Sequence, residues 1–119
     1  MNSPGYLRWP QLNAAITDET DPGAPAPCHG FPYVSVYITG TGTTSSGVVT
    51  VETADYDPQA VQSAYTGTWS SVTTINASDV TGGAQKLVAL TTASYAFVRT
   101  RVTTAIGGGG SVSTVIVAA

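Results

Sequence analysis

The sequence predicts an all-β fold: an antiparallel β-sandwich, jelly-roll-like in form, with an extended proline-rich arm at its N-terminus. Three observations carry this. From residue 33 onward, short β-branched and aromatic runs alternate with turn residues at a spacing typical of sandwiches. Six of the seven prolines (Pro4, Pro10, Pro22, Pro25, Pro27 and Pro32) fall before that point. No stretch carries a convincing helical period, and no internal repeat is visible. At 119 residues the chain has room for one domain with a modest single core.

The elements follow in order. Proline lacks a backbone donor and fixes φ, so residues 1–32 are expected to stay out of the sheets as an extended arm, and residues 33–119 to form the sandwich. The arm is not a simple solvated tail, because Tyr6, Leu7, Trp9, Leu12 and Ile16 need a surface to lie on. That surface is either the domain itself or a neighbouring subunit. QLNAAIT, residues 11–17, has room for one or two helical turns. The strands then run YVSVYI (33–38), VVTVETA (48–54), WSSVTTIN (69–76), QKLVALTT (85–92), SYAFVRTRVTT (94–104) and VSTVIVA (112–118). ADYDPQ is a turn, since Asp-Pro starts one well, and IGGGGS reads as a flexible hairpin loop.

Strand side chains alternate between faces. In residues 95–102, Ala96, Val98, Thr100 and Val102 form one row, and Tyr95, Phe97, Arg99 and Arg101 the other. The small and β-branched row suits the gap between two sheets. The second row faces out, where the arginines can pair with Glu52 or Asp55 or belong to a contact surface. Val34, Val36, Ile38, Val98, Val102, Val115 and Val117 are the expected core.

Charge is sparse, with four basic against seven acidic residues and a formal net charge of −3. That disfavours a nucleic-acid partner, whose phosphates need Lys and Arg, and docking on an anionic membrane surface. The one cysteine, Cys28, allows no intrachain disulfide. No apolar run nears the ~20 residues of a membrane helix. The first residues lack the basic start and apolar core of a signal peptide, so a protein made and kept in a reducing cytosol, or assembled there, is expected.

No catalytic set, metal site or cofactor site emerges. Cys28 and His29 are adjacent, and neighbours on an extended chain point apart, which is poor placement for a nucleophile and its base. Zinc needs three or four ligands that this chain cannot assemble. Asp55 and Asp57 flank Tyr56 without the spacing of a calcium loop. Gly107 to Gly110 lack the Lys and following helix of a phosphate loop. Trp69, near Tyr56 and Tyr65, reads as a core plug, with a sugar-stacking shelf as the other use of such a ring.

The order of motifs over residues 33–119 resembles the small β-sandwich virion proteins of tailed bacteriophages. It runs from YVSVYITGTGTTSSGVVTVETADYDP through a Trp-led strand to SYAFVRTRVTTAIGGGGSVSTVIVAA. AFVRTRV is also similar to the last strands of galactose-binding-like modules, whose other Trp-rich motifs are missing here. The resemblance implies a non-enzymatic virion structural protein, foremost a capsid decoration (cement) protein on the outer surface of the head. Its partners would be the major capsid protein and possible copies of itself. The alternative it implies is a tail, fibre or baseplate module that binds host-surface glycan. Tyr6, Leu7, Arg8 and Trp9 of the arm, with Arg99 and Arg101, are the candidate interface residues.

Overall fold

A computed structural model describes residues 7–17, 26–28, 31, 33–55, 69–90 and 95–119. Eight strands and one 3-10 helix are present among them. They are β1 (Leu7–Ala15), β2 (Ala26–Pro27), β3 (Val34–Thr41), β4 (Ser46–Asp55), β5 (Ser70–Asn76), the 3-10 helix (Ala77–Gly83), β6 (Gln85–Leu90), β7 (Tyr95–Gly107) and β8 (Ser111–Ala118). Two four-stranded sheets form, sheet A in the order β1-β8-β3-β6 and sheet B in the order β2-β7-β4-β5. Every pairing is antiparallel. The first strand pairs with the last, the second with the seventh, the third with the sixth and the fourth with the fifth. The chain is thus a long ribbon folded back on itself at β4–β5 and wrapped into two layers.

Period-2 patterning builds the layers. In β3, Val34, Val36, Ile38 and Gly40 point inward, with half-exposed residues between them. In β4 the inward row is Val49, Val51 and Thr53, and in β7 it is Val98, Thr100 and Val102, all buried. Both rows follow the expected alternation. In β8 the expectation fails. The inward row is Val112, Thr114, Ile116 and Ala118, and Val115 and Val117 face out. The run VIVA is apolar in both rows, so its own pattern does not choose a face. Thr114 chooses it. Its hydroxyl lies 2.6 Å from that of Thr100, a buried hydrogen bond that joins sheet A to sheet B across the core.

The arm expected over residues 1–32 is in part a component of the sandwich. β1 is an edge strand of sheet A, not a helical turn, and β2 is an edge strand of sheet B. Leu12, Ala15, Ala26 and Cys28 are core residues. Proline does bar this segment from central positions, but an edge strand has one side with no ladder to complete, and there it is tolerated. β1 shows the cost, since its register slips between Pro10 and Leu12 and again between Leu12 and Ala15. Side chains of β8 repair both slips. The Leu12 N–H donates to Thr114 Oγ1 at 3.1 Å and the Ala14 N–H to Ser113 Oγ at 3.0 Å. Ala14 holds φ at 52°, a left-handed value uncommon outside glycine.

The glycine run is not a hairpin loop, because β7 and β8 belong to different sheets. It is the crossing between layers, and it is pinned. The Gly110 N–H donates to Thr43 O at 2.7 Å and the Ser45 N–H to Gly107 O at 2.9 Å. A side chain on Gly110 would strike the carbonyls of Thr41 and Thr43.

Candidate interaction surfaces

The outer face of sheet B holds most of the charge found on either face. Register sets Glu52 on β4 opposite Arg99 on β7, with Arg101 one pair further along the same face. Arg99 Nε donates to Glu52 Oε1 at 2.8 Å, and Arg101 Nη1 to Glu52 Oε2 at 3.5 Å. One carboxylate thus serves two guanidinium groups. The side chains are only 13%, 23% and 32% exposed for Glu52, Arg99 and Arg101, so the pairing is stronger than a fully solvated one. The Arg99 guanidinium also lies 4.0 Å above the Trp69 ring, a cation–π contact. Trp69 packs in turn on Phe97 and Ala54, a second small apolar cluster outside the main core. Further along the same face, past Arg101, the hydroxyls of Thr50 and Thr103 meet at 2.7 Å. Arg99 and Arg101 face outward together as the alternation requires, and Glu52 is their partner. The Asp55 side chain and residues Tyr56, Asp57 and Tyr65 lie outside what is described.

The outer face of sheet A is built differently. Tyr37 on β3 stands between Val115 on β8 and Leu87 on β6, and Ser35 between Val117 and Ala89. β1 adds Arg8 opposite Val117 and Pro10 opposite Val115. Arg8, Tyr37, Gln85, Val115, Val117 and Ala119 line a shallow depression of about 490 Å³. Leu87 is 52% exposed, and Leu7 and Tyr33 are exposed near the ends of the face. Among the described residues Arg8 is the only charged side chain on it. Lys86 belongs to the other row of β6 and is tied to Asp79 at 3.4 Å.

The expected interface residues do not come together. Tyr6 lies outside the described residues. Leu7 and Arg8 lie on β1, in sheet A, while Arg99 and Arg101 lie on the far side of the sandwich. Trp9 is half-buried against its own core, edge-on to Phe31 with ring centroids 6.1 Å apart. Phe31 is held there by its N–H, which donates to Cys28 O at 3.2 Å. Sequence reasoning did not single out Tyr37 or Leu87, and it placed Val115 and Val117 in the core. The available signal was the second apolar row of VIVA and YVSVYI, a pattern that a core-only assignment leaves unused.

Burial pushes the Cys28 thiol up to about 12, so it stays protonated and unreactive at neutral pH. His29 lies outside the described residues. Among the described residues no three of His, Cys, Asp and Glu gather where they could hold a metal ion, and no helix is long and apolar enough to cross a membrane. No known protein family, curated protein or solved structure matches this chain.

Proposed function

We infer that this chain is a structural protein of a virus particle, a jelly-roll module that covers and stabilises the outer surface of a tailed-phage head, with the major capsid protein as its partner. The order of pairing, first strand with last and so inward to β4–β5, supports the jelly-roll reading, an architecture common among viral capsid and lectin domains. Fold alone does not assign function. The observation that carries the reading is the outer face of sheet A. It is broad, lined by Tyr37, Leu87, Val115 and Val117, and among the described residues it carries one charged side chain, Arg8. Interface centres have this composition: few charges, with aromatic residues and arginine enriched. Arg8 is suited to a carboxylate on the shell.

The glycan-binding alternative would use Trp69 as a stacking shelf. Arg99 already covers one face of that ring, which favours the capsid reading. The test is co-sedimentation with heads from a phage lacking this gene. The wild-type chain should co-sediment and raise the temperature at which the heads open. Tyr37→Glu and Val117→Glu should each reduce binding at least tenfold, whereas Arg101→Ser on the opposite face should bind as wild type. Equal binding by all four would refute the assignment of sheet A as the contact face. No binding by the wild type would refute decoration itself.

A further inference from the structure

The four edges of the sandwich are not equally defended. An open edge presents unpaired backbone groups, and natural proteins blunt it with proline, bulges, charge or brevity. In β1 the edge is broken by Pro10, two register shifts and the left-handed Ala14. β2 is two residues long and ends in Pro27. β5 has a register shift opposite Val51 and Glu52, and its exposed residues are mostly Ser and Thr. β6, QKLVAL, has no proline, bulge or left-handed residue. It holds unbroken register with β3 from Gln85 to Leu90, and its one charge, Lys86, lies in the row opposite to Leu87 and pairs with Asp79 at 3.4 Å.

The direction of its free backbone groups follows from the ladder. Gly40 N–H donates to Ala84 O at 3.2 Å, so alternate residues from Ala84 onward turn their N–H and C=O toward β3. Tyr33 and Ala119 exchange both bonds at 3.2 and 2.9 Å, which commits Tyr33 and its alternates in β3 to β8 and leaves the others for β6, in agreement. Gln85, Leu87 and Ala89 therefore point their backbone groups away from the sheet. All three are exposed, and among the described residues no strand lies beyond them.

We propose that two copies of this chain join through these edges of β6, antiparallel about a twofold axis at Leu87, so that sheet A runs continuously through both. The edge is self-complementary in this register. Leu87 meets Leu87 of the second copy, and Gln85 meets its Ala89, so each outward residue exchanges both backbone bonds with one partner. Lys86 falls opposite Val88. Centring the axis on Lys86 would set two like charges face to face, which is disfavoured. The chosen register also brings the two Leu87 side chains, each beside its Tyr37, into one apolar stripe. The occupant is a second copy because the edge is its own complement in this register: Gln85, Leu87 and Ala89 pair among themselves with no like charges opposed.

The inference rests on the strand edge alone, so it stands or falls separately from capsid binding. Sedimentation equilibrium of the full chain should give twice the mass of a single chain. Leu87→Lys places like charges across the axis at an exposed position, and Leu87→Pro removes an N–H that β3 does not use. Both should sediment as monomers with an unchanged far-ultraviolet circular dichroism spectrum, while Val72→Lys on β5 stays dimeric. A short thiol cross-linker should join Leu87→Cys to itself. It should not join Gln85→Cys to itself, because the two copies of that site are offset by ~13 Å along the strands. Cys28, buried and protonated, is silent to the reagent. A monomeric wild type, a dimer that persists in both Leu87→Lys and Leu87→Pro, or cross-linking at Gln85→Cys but not Leu87→Cys would each overturn the proposal.

Discussion

The two outward faces of the sandwich obey opposite rules. On sheet B, Phe97 is 3% exposed although it points away from the core, Trp69 packs beside it, and Glu52 holds two arginines. On sheet A, Tyr37, Val115 and Val117 lie half-exposed with Leu87 more exposed still, and Arg8 is the one charged side chain among the described residues of the face. Both faces have the same parent pattern, an alternating strand row. The difference shows that facing out and being solvent-exposed are separate properties. A face can be closed by its own side chains or left open for another molecule.

Removing β1 should break the comparison altogether. Deleting residues 1–15 strips Leu12 and Ala15 from the core, the Leu12 N–H from the Thr114–Thr100 hydroxyl pair, and Arg8 from face A. Loss of a buried leucine alone costs ~2–5 kcal/mol, and small domains have only ~5–15 kcal/mol to lose. The truncated chain should therefore fail to show a cooperative thermal transition. A folded truncation would mean that β1 is an accessory strand after all.

Phe97→Ala tests whether face B is closed. With the side chain buried beside Ala54 and Trp69, the substitution should cost ~3–5 kcal/mol in urea unfolding. A change below ~1 kcal/mol would show that the cluster is only a surface contact. Glu52→Gln is next in size. It leaves Arg99 and Arg101 adjacent without their shared anion and should cost ~1–3 kcal/mol, with added salt recovering part of it. If stability is unchanged, the two pairs are no stronger than exposed ones. Val117→Thr on face A should be the smallest, below ~1 kcal/mol, because this face makes few contacts within the monomer. A large loss there would mean that the half-exposed row of β8 supports the fold and is not free for a partner.

Much of the sandwich was legible from local pattern. The strands from residue 33 on, the inward rows of β3, β4 and β7, and the shared outward face of Arg99 and Arg101 all follow from alternation of β-branched and polar residues. The pairing with Glu52 was legible as one of two acidic choices, and the ladder sets Glu52 directly opposite Arg99. The parity of β8 was not legible, because VIVA offers two apolar rows and only Thr100 on the opposite sheet distinguishes them. The place of β1 was not legible either, since the proline rule separates central from edge strands, not strand from arm.

By itself the sequence determined what depends on neighbours in the chain: all-β class, the sparse charge, and which residues could not occupy a central strand. Tertiary structure alone decided which edge takes each proline-bearing segment, which row of an ambiguous strand is buried, and which outward face is sealed. Those outcomes turn on partners far apart in the chain, such as Leu12 with Thr114, Glu52 with Arg99 and Tyr37 with Leu87. A strand's own residues specify its two faces. Only the strands beside it and the sheet across from it determine which of those faces meets water.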